Sequence, residues 1–193
     1  MARFIAFLRA VNVGGRIVKM EQLRTIFETL GFANVETFIA SGNVIFESTT
    51  KNTVALERKI EAQLQRSLGY TMATFIRTDT EIAAIVDYKP FKAPALKSAL
   101  TFNVAFLAEP LTPDAVKALM RLKTEIDDFH VNGREMYWLC KKKQNESTFS
   151  NALFERTLKI SATFRGINTV RKLTEKYAPN ADAPASRKSR RRD

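Results

Sequence analysis

The chain has 193 residues, 45% hydrophobic and 26% charged, with a formal net charge of +11. That is a globular composition, large enough for one or two small domains and basic enough to attract polyanions. Its longest apolar runs, such as Phe4 to Leu8 and Val104 to Leu107, fall far short of the roughly 20 residues that cross a bilayer, and Arg9 interrupts any signal-peptide core, so no membrane partner and a cytoplasmic location are expected. One cysteine, Cys140, and one histidine, His130, exclude an internal disulfide and the commonest zinc sites, and neither a metal nor a cofactor is expected.

The first predicted element is an alternating strand over residues 3–11. Met20, Leu23, Ile26, Phe27 and Leu30 follow at helical spacing, with Gly31 as the stop. Residues 35–41 and 43–48 read as two strands joined tightly at Ser41-Gly42. Leu56, Ile60, Leu64 and Leu68 recur every four residues and predict a helix ending at Gly69. A strand over Thr71 to Arg77 comes next. Thr78-Asp79-Thr80-Glu81 is a capping-box pattern that opens a short helix bearing Ile82, Ile85 and Val86. The stretch from Asp87 to Ser98 has two prolines and no clear period, and reads as a connector.

The pattern then restarts with a strand over Leu100 to Ala108. Thr112-Pro113-Asp114 opens a helix, with Thr as cap, Pro in the first turn and a carboxylate at the positive end of the dipole. Asp128 to Asn132 and Glu135 to Lys141 flank Gly133 as a hairpin, which places Cys140 in a buried strand as a core thiol and His130 at a strand edge. Ser150 or Asn151 caps a helix carrying Leu153, Phe154 and Leu158. A last helix starts at Asn168 and carries Val170, Leu173 and Tyr177. Residues 179–193 hold five basic and two acidic residues among Pro, Ala and Ser, and read as a disordered basic tail; without it the chain still carries +8.

Strand, helix, strand, strand, helix, twice over, is the ferredoxin-like order. The fold class expected is therefore α+β: two similar ferredoxin-like (βαββα) halves with antiparallel sheets, packed into one compact body. Their expected bounds are 1–89 and 99–178, with a connector over 90–98. Both first strands are apolar on both faces: Phe4, Ala6 and Leu8 oppose Ile5 and Phe7, and Phe102, Val104 and Phe106 oppose Ala105 and Leu107. A solvated sheet face would alternate with polar residues, so the two halves should cover each other, leaving a groove along their seam. A covered face also argues against an RNA-recognition sheet, which needs exposed aromatics on its central strands.

Three stretches carry candidate chemistry. Arg9, Asn12, Gly14 and Gly15, with Lys19 just before a helix, join the first strand to the first helix. A Gly pair lets backbone N–H groups converge on an anion, and the helix N-terminus favours the same charge; a tight turn with Asn12 bonding its own backbone fits equally, since no phosphate-loop pattern follows. Ser41-Gly42-Asn43 is a hairpin turn whose side chains could donate to an oxyanion. Arg165, in Thr163-Phe164-Arg165-Gly166-Ile167-Asn168-Thr169, stands beside a helix start capped by Asn168, either as an anion contact or as a surface arginine.

These stretches resemble a known, mainly bacterial family, the domain of unknown function 1697. Its opening reads Leu-Leu-Arg-Gly-Ile-Asn-Val-Gly-Gly, then Lys-Met before a helix, then Tyr-Ile-x-Ser-Gly-Asn-Val-Val-Phe. Leu8 to Gly15, Lys19-Met20 and Phe38 to Phe46 match, with Ala10 in place of Gly. Pro90-Phe91 matches an Asn-Pro-Phe element, with Lys89 in place of Asn, and Thr163 to Thr169 resembles Thr-x-Arg-Asn-Trp-x-Thr, with Gly166 and Ile167 departing from Asn and Trp. The resemblance implies an α+β fold of two similar halves and brings no activity, cofactor or catalytic residues.

The leading expectation is a protein of uncharacterised role that binds a phosphate-bearing or other anionic ligand, a nucleotide or nucleic acid, in a basic groove near Arg9, Asn12, Gly14, Gly15, Lys19, Ser41, Asn43 and Arg165. Two other readings stay open. One is a small transferase or hydrolase acting without a metal, with Arg9 and Ser41 stabilising developing negative charge. The other is a structural or interaction module in which every motif is turn chemistry. The oligomeric state is not legible in the chain.

Overall fold

The computed structural model describes residues 1–9, 11 and 17–178. The first half runs β1 (Ala2–Leu8), α1 (Met20–Thr29), β2 (Ala33–Phe38), β3 (Asn43–Ser48), α2 (Thr53–Leu68), β4 (Thr74–Thr78) and α3 (Asp79–Asp87). A short α4 (Ala93–Ser98) leads to the second: β5 (Thr101–Phe106), α5 (Pro113–Met120), β6 (Asp127–Asn132), β7 (Glu135–Cys140), α6 (Asn151–Leu158), β8 (Thr163–Gly166) and α7 (Ile167–Lys176). Each half forms a four-stranded antiparallel sheet, ordered β2-β3-β1-β4 and β6-β7-β5-β8. The two orders are the same once the second half is counted from its own first strand, so the halves share one topology.

Local chemistry explains most boundaries. The Asn52 side chain accepts from the Ala55 N–H to start α2, and Gly69, at φ +80°, ends it in the left-handed region. Thr78 and Glu81 form the capping box of α3, and Thr112 and Ser150 cap α5 and α6. Three elements differ from the sequence expectation. The connector contains α4, because Pro94 lies in its first turn, where a missing N–H costs nothing. Residues 163–166 form a fourth strand, β8, on the edge that β5 leaves open. The last helix starts at Ile167 rather than Asn168; Gly166 occupies its N-cap, with no side-chain capping bond.

The core has three layers. One face of the first sheet packs Phe4, Ala6, Leu8 and Phe46 beneath Leu23 and Phe27 of α1 and Ile60 and Leu64 of α2. The matching face of the second sheet packs Ala105, Leu107 and Trp138 with Leu119 of α5 and Phe154 of α6. The other two faces meet each other: Ile5, Phe7, Ile45 and Phe75 share a cluster with Val104, Phe106 and Tyr137, closed by residues of α3 and α7. Phe7 and Phe106 stack across this seam with ring centroids 3.9 Å apart. Two-sided apolarity in β1 and β5 is thus met by mutual coverage. Among the described residues no helix is long and apolar enough to cross a membrane.

Candidate functional site

The ends of β1 and of the β2–β3 turn are neighbours. The Leu8 N–H donates to the Gly42 carbonyl at 2.8 Å, and the Arg9 N–H to the Ala73 carbonyl at 2.9 Å. Gly42 has φ +73°, and a Cβ there would stand 2.2 Å from Cγ2 of Val11, so both backbone angle and space require glycine. Into this junction β8 projects Arg165. Its Nε donates to Asn43 Oδ1 at 2.6 Å, its Nη1 to Thr163 Oγ1 and the Phe164 carbonyl at 2.8 and 2.9 Å, and its Nη2 to the Leu8 and Ser41 carbonyls at 2.9 and 2.7 Å. All five guanidinium N–H groups are thereby used. The cation also lies over the Phe7 ring, and burial lowers its pKa to about 10.

Ser41, Asn43 and Arg165 are therefore brought together, and they spend their polar groups on one another. Asn43 is fully buried; its Nδ2 donates to the Phe38 carbonyl and to Ser41 Oγ at 3.0 and 2.8 Å. Arg9 reaches the second half by another route. Its Nε and Nη2 donate to Glu155 Oε1 and Oε2 at 2.7 and 2.5 Å, a bidentate pair whose hydrogen bonds raise the Arg9 pKa. Lys19, at the N-cap position of α1, is exposed, and its ammonium has no partner among the described residues. Asn12, Gly14 and Gly15 lie outside the described residues, as does the tail 179–193.

A second buried arginine mirrors Arg165. Arg77, on β4, pairs opposite Ile5 as Arg165 pairs opposite Val104. Its Nη2 donates to the Leu107 and Arg134 carbonyls at 2.9 and 3.0 Å, its Nη1 to the Ile76 carbonyl at 2.8 Å and its Nε to Glu135 Oε1 at 2.6 Å, with the Phe106 ring beneath it. Each half thus inserts one arginine into the hairpin end of the other. The sequence reading did not single out Arg77. For Arg77 the signal was available, since it interrupts the apolar run Phe75-Ile76 of a strand that the sequence predicts.

Between α4 and the second half, a cavity of about 440 Å³ opens beside the start of α7. Thr101, Asn103, Gly166, Asn168, Thr169 and Arg171 line it, and no carboxylate does. The N–H groups of Ile167, Asn168 and Thr169 have no intrahelical acceptor, being the first turn of a helix. Asn168, expected as the cap, instead accepts from Arg171 Nη1 at 3.1 Å and so steers the guanidinium. Asn103 Nδ2 donates to Gln144 Oε1 at 3.2 Å and Thr101 Oγ1 to the Lys142 carbonyl at 3.0 Å. His130 Nε2 lies 2.7 Å from Tyr88 Oη, in a cluster of aromatic rings that includes Phe91 and Tyr137. Cys140 is buried, and burial pushes its thiol pKa up. Among the described residues no group of three His, Cys, Asp or Glu side chains could hold a metal ion.

A family described as "Protein of unknown function (DUF1697)" matches residues 1–137, which hold the first two motifs; residues 163–169 lie beyond the match. Among solved structures, the conserved bacterial protein SP0830 from Streptococcus pneumoniae is similar, with a TM-score of 0.67 and 22% identity, over 90% of this chain and 97% of that one. That likeness concerns the fold. No curated protein matches the chain.

Proposed function

This chain belongs to the DUF1697 family, and on that premise we propose that it is a binding protein for a small phosphate-bearing ligand, held at the start of α7. The observation that carries this reading is the composition of the 440 Å³ cavity: a guanidinium, amide and hydroxyl side chains and a helix N-terminus line it, and no carboxylate does. The basic body adds a long-range field of the same sign. Of the residues singled out in the sequence, Lys19 keeps a charge with no partner among those described, whereas the groups of Arg9, Asn43 and Arg165 are taken up between the halves. The third stretch therefore supports the reading through Gly166, Asn168 and Thr169 rather than through Arg165. The cavity has the volume of a mononucleotide-sized site rather than of a polymer track.

The test is calorimetric titration of the full chain with inorganic phosphate, mononucleotides and a short oligonucleotide. A mononucleotide should bind, and Arg171→Ala should weaken it at least about tenfold while leaving the melting temperature unchanged, since Arg171 is exposed. Equal affinity in the variant, no binding at millimolar ligand, or binding of the oligonucleotide alone with a steep salt dependence would each reject it.

A further inference from the structure

The internal repeat supplies a template for a second site, of opposite charge. In the second half, Glu155 on α6 accepts from the outward N–H of Ala162 at 3.1 Å and holds the Arg9 guanidinium with both oxygens. In the first half, Glu61 on α2 accepts from the outward N–H of Thr74 at 2.8 Å. The two N–H groups are equivalent. Thr74 lies opposite Leu8, and continuing the register from Thr163 opposite Phe106 sets Ala162 opposite Leu107. Leu8 and Leu107 each donate their N–H to the hairpin turn of their own half.

Arg9 follows Leu8, and the residue that follows Leu107 is Ala108. So where one half sets an arginine against its glutamate, the other sets a methyl group. The space shows as a cavity of about 580 Å³ between the outer edge of β4, α2 and the loops that precede α5 and β8. Glu61, Thr74 and Ala108 all line it, together with Glu57, whose Oε1 accepts from the Ile76 N–H at 2.8 Å. Neither carboxylate bonds a cation among the described residues. Val54, Pro110 and Ile160 give the walls an apolar stretch. Glu109 adds a third carboxylate, and Arg58 and Lys159 stand at the same cavity without ion-pair partners among the described residues.

We propose that this cavity binds a small guanidinium compound with an aliphatic stem, its guanidinium on Glu61 as Arg9 sits on Glu155, and its stem along Val54 and Pro110. The planar fork that a carboxylate recognises bidentately distinguishes it from a primary amine. Arg58 and Lys159 offer a counter-charge to a carboxylate at the far end of the stem.

The probes are agmatine, L-arginine and cadaverine, titrated calorimetrically into the full chain. Agmatine should bind more tightly than cadaverine, and L-arginine at least as well as agmatine. Glu61→Gln keeps an acceptor for Thr74 and should weaken agmatine at least about tenfold. Ala108→Arg supplies the missing guanidinium from within, and should abolish agmatine binding while raising the melting temperature. Absence of binding by the wild-type chain at millimolar agmatine, equal affinity in Glu61→Gln, or an Ala108→Arg protein that still binds agmatine would overturn the assignment.

Discussion

At the scale of single residues, the two buried arginines bear the most structural weight. Arg165 satisfies the Leu8 and Ser41 carbonyls and Asn43 in one stroke, all on the opposite half. Arg165→Ala would remove the Arg165 bonds to Asn43 Oδ1 and the Ser41 carbonyl and leave the Leu8 carbonyl with only the 3.4 Å bond from Thr163 Oγ1, at about 1–3 kcal/mol for each group that loses its partner where water cannot reach; a loss of at least about 3 kcal/mol in urea unfolding is expected. Arg165→Lys should recover only part of it, since an ammonium has three donors where the guanidinium has five. A loss under about 1 kcal/mol in Arg165→Ala would show that the tie is not structural. The sequence placed Ser41 and Asn43 correctly beside a turn, and Arg165 beside a helix start as an anion contact or a surface arginine, whereas the fold buries Arg165 in β8 among carbonyls. It could not say whether their donors face a ligand or each other, because the partners lie more than 120 positions apart.

At the scale of elements, β4 is an edge strand whose outward N–H groups are all occupied. Glu61, Glu57 and Glu81 accept from Thr74, Ile76 and Thr78, each at 2.8 Å, which blocks pairing with a foreign strand. Glu57 is the buried member. Burial raises its pKa above the ordinary carboxylate value, against the lowering effect of the Ile76 N–H. The folded state thus holds a proton that the unfolded chain releases earlier, so this group's contribution to stability falls as pH rises from the unfolded value of 4.5 through the folded one. Glu57→Gln keeps the acceptor and removes the charge. Its denaturation midpoint should move ahead of wild type progressively as pH rises above 4.5; a difference that stays constant as pH rises would contradict the assignment. Helices with strong period and caps, such as α2 and α3, were legible because their signals are local. The strand β8 was not: four residues containing Thr and Arg have no strand signature of their own, and they pair because β5 presents an open edge.

At the scale of the whole molecule, the seam is a core rather than a contact between finished domains. Ile5, Phe7, Ile45 and Phe75 are at most 2% exposed, and their cover comes from the other half together with Ile82 and Ile85 of α3. A fragment of residues 1–89 would expose that face and should aggregate or self-associate, and the full chain should unfold in one transition by both far- and near-ultraviolet circular dichroism. Two separated transitions, or a monomeric folded fragment, would show that the halves are independent. The chain by itself determined the α+β class, the repeated strand–helix pattern, the caps of α3, α5 and α6 and the need for each sheet to be covered twice, because periodicity, capping and burial are read over a few neighbouring residues. Only the tertiary structure decided which polar groups remain available. It consumed Arg9 and Arg165 in ties between the halves, left the cavity at the start of α7 without an acid, and left Glu61 without its arginine. A charge is neutralised by whatever the fold brings within 3 Å or so, and that distance is set by packing, not by order along the chain.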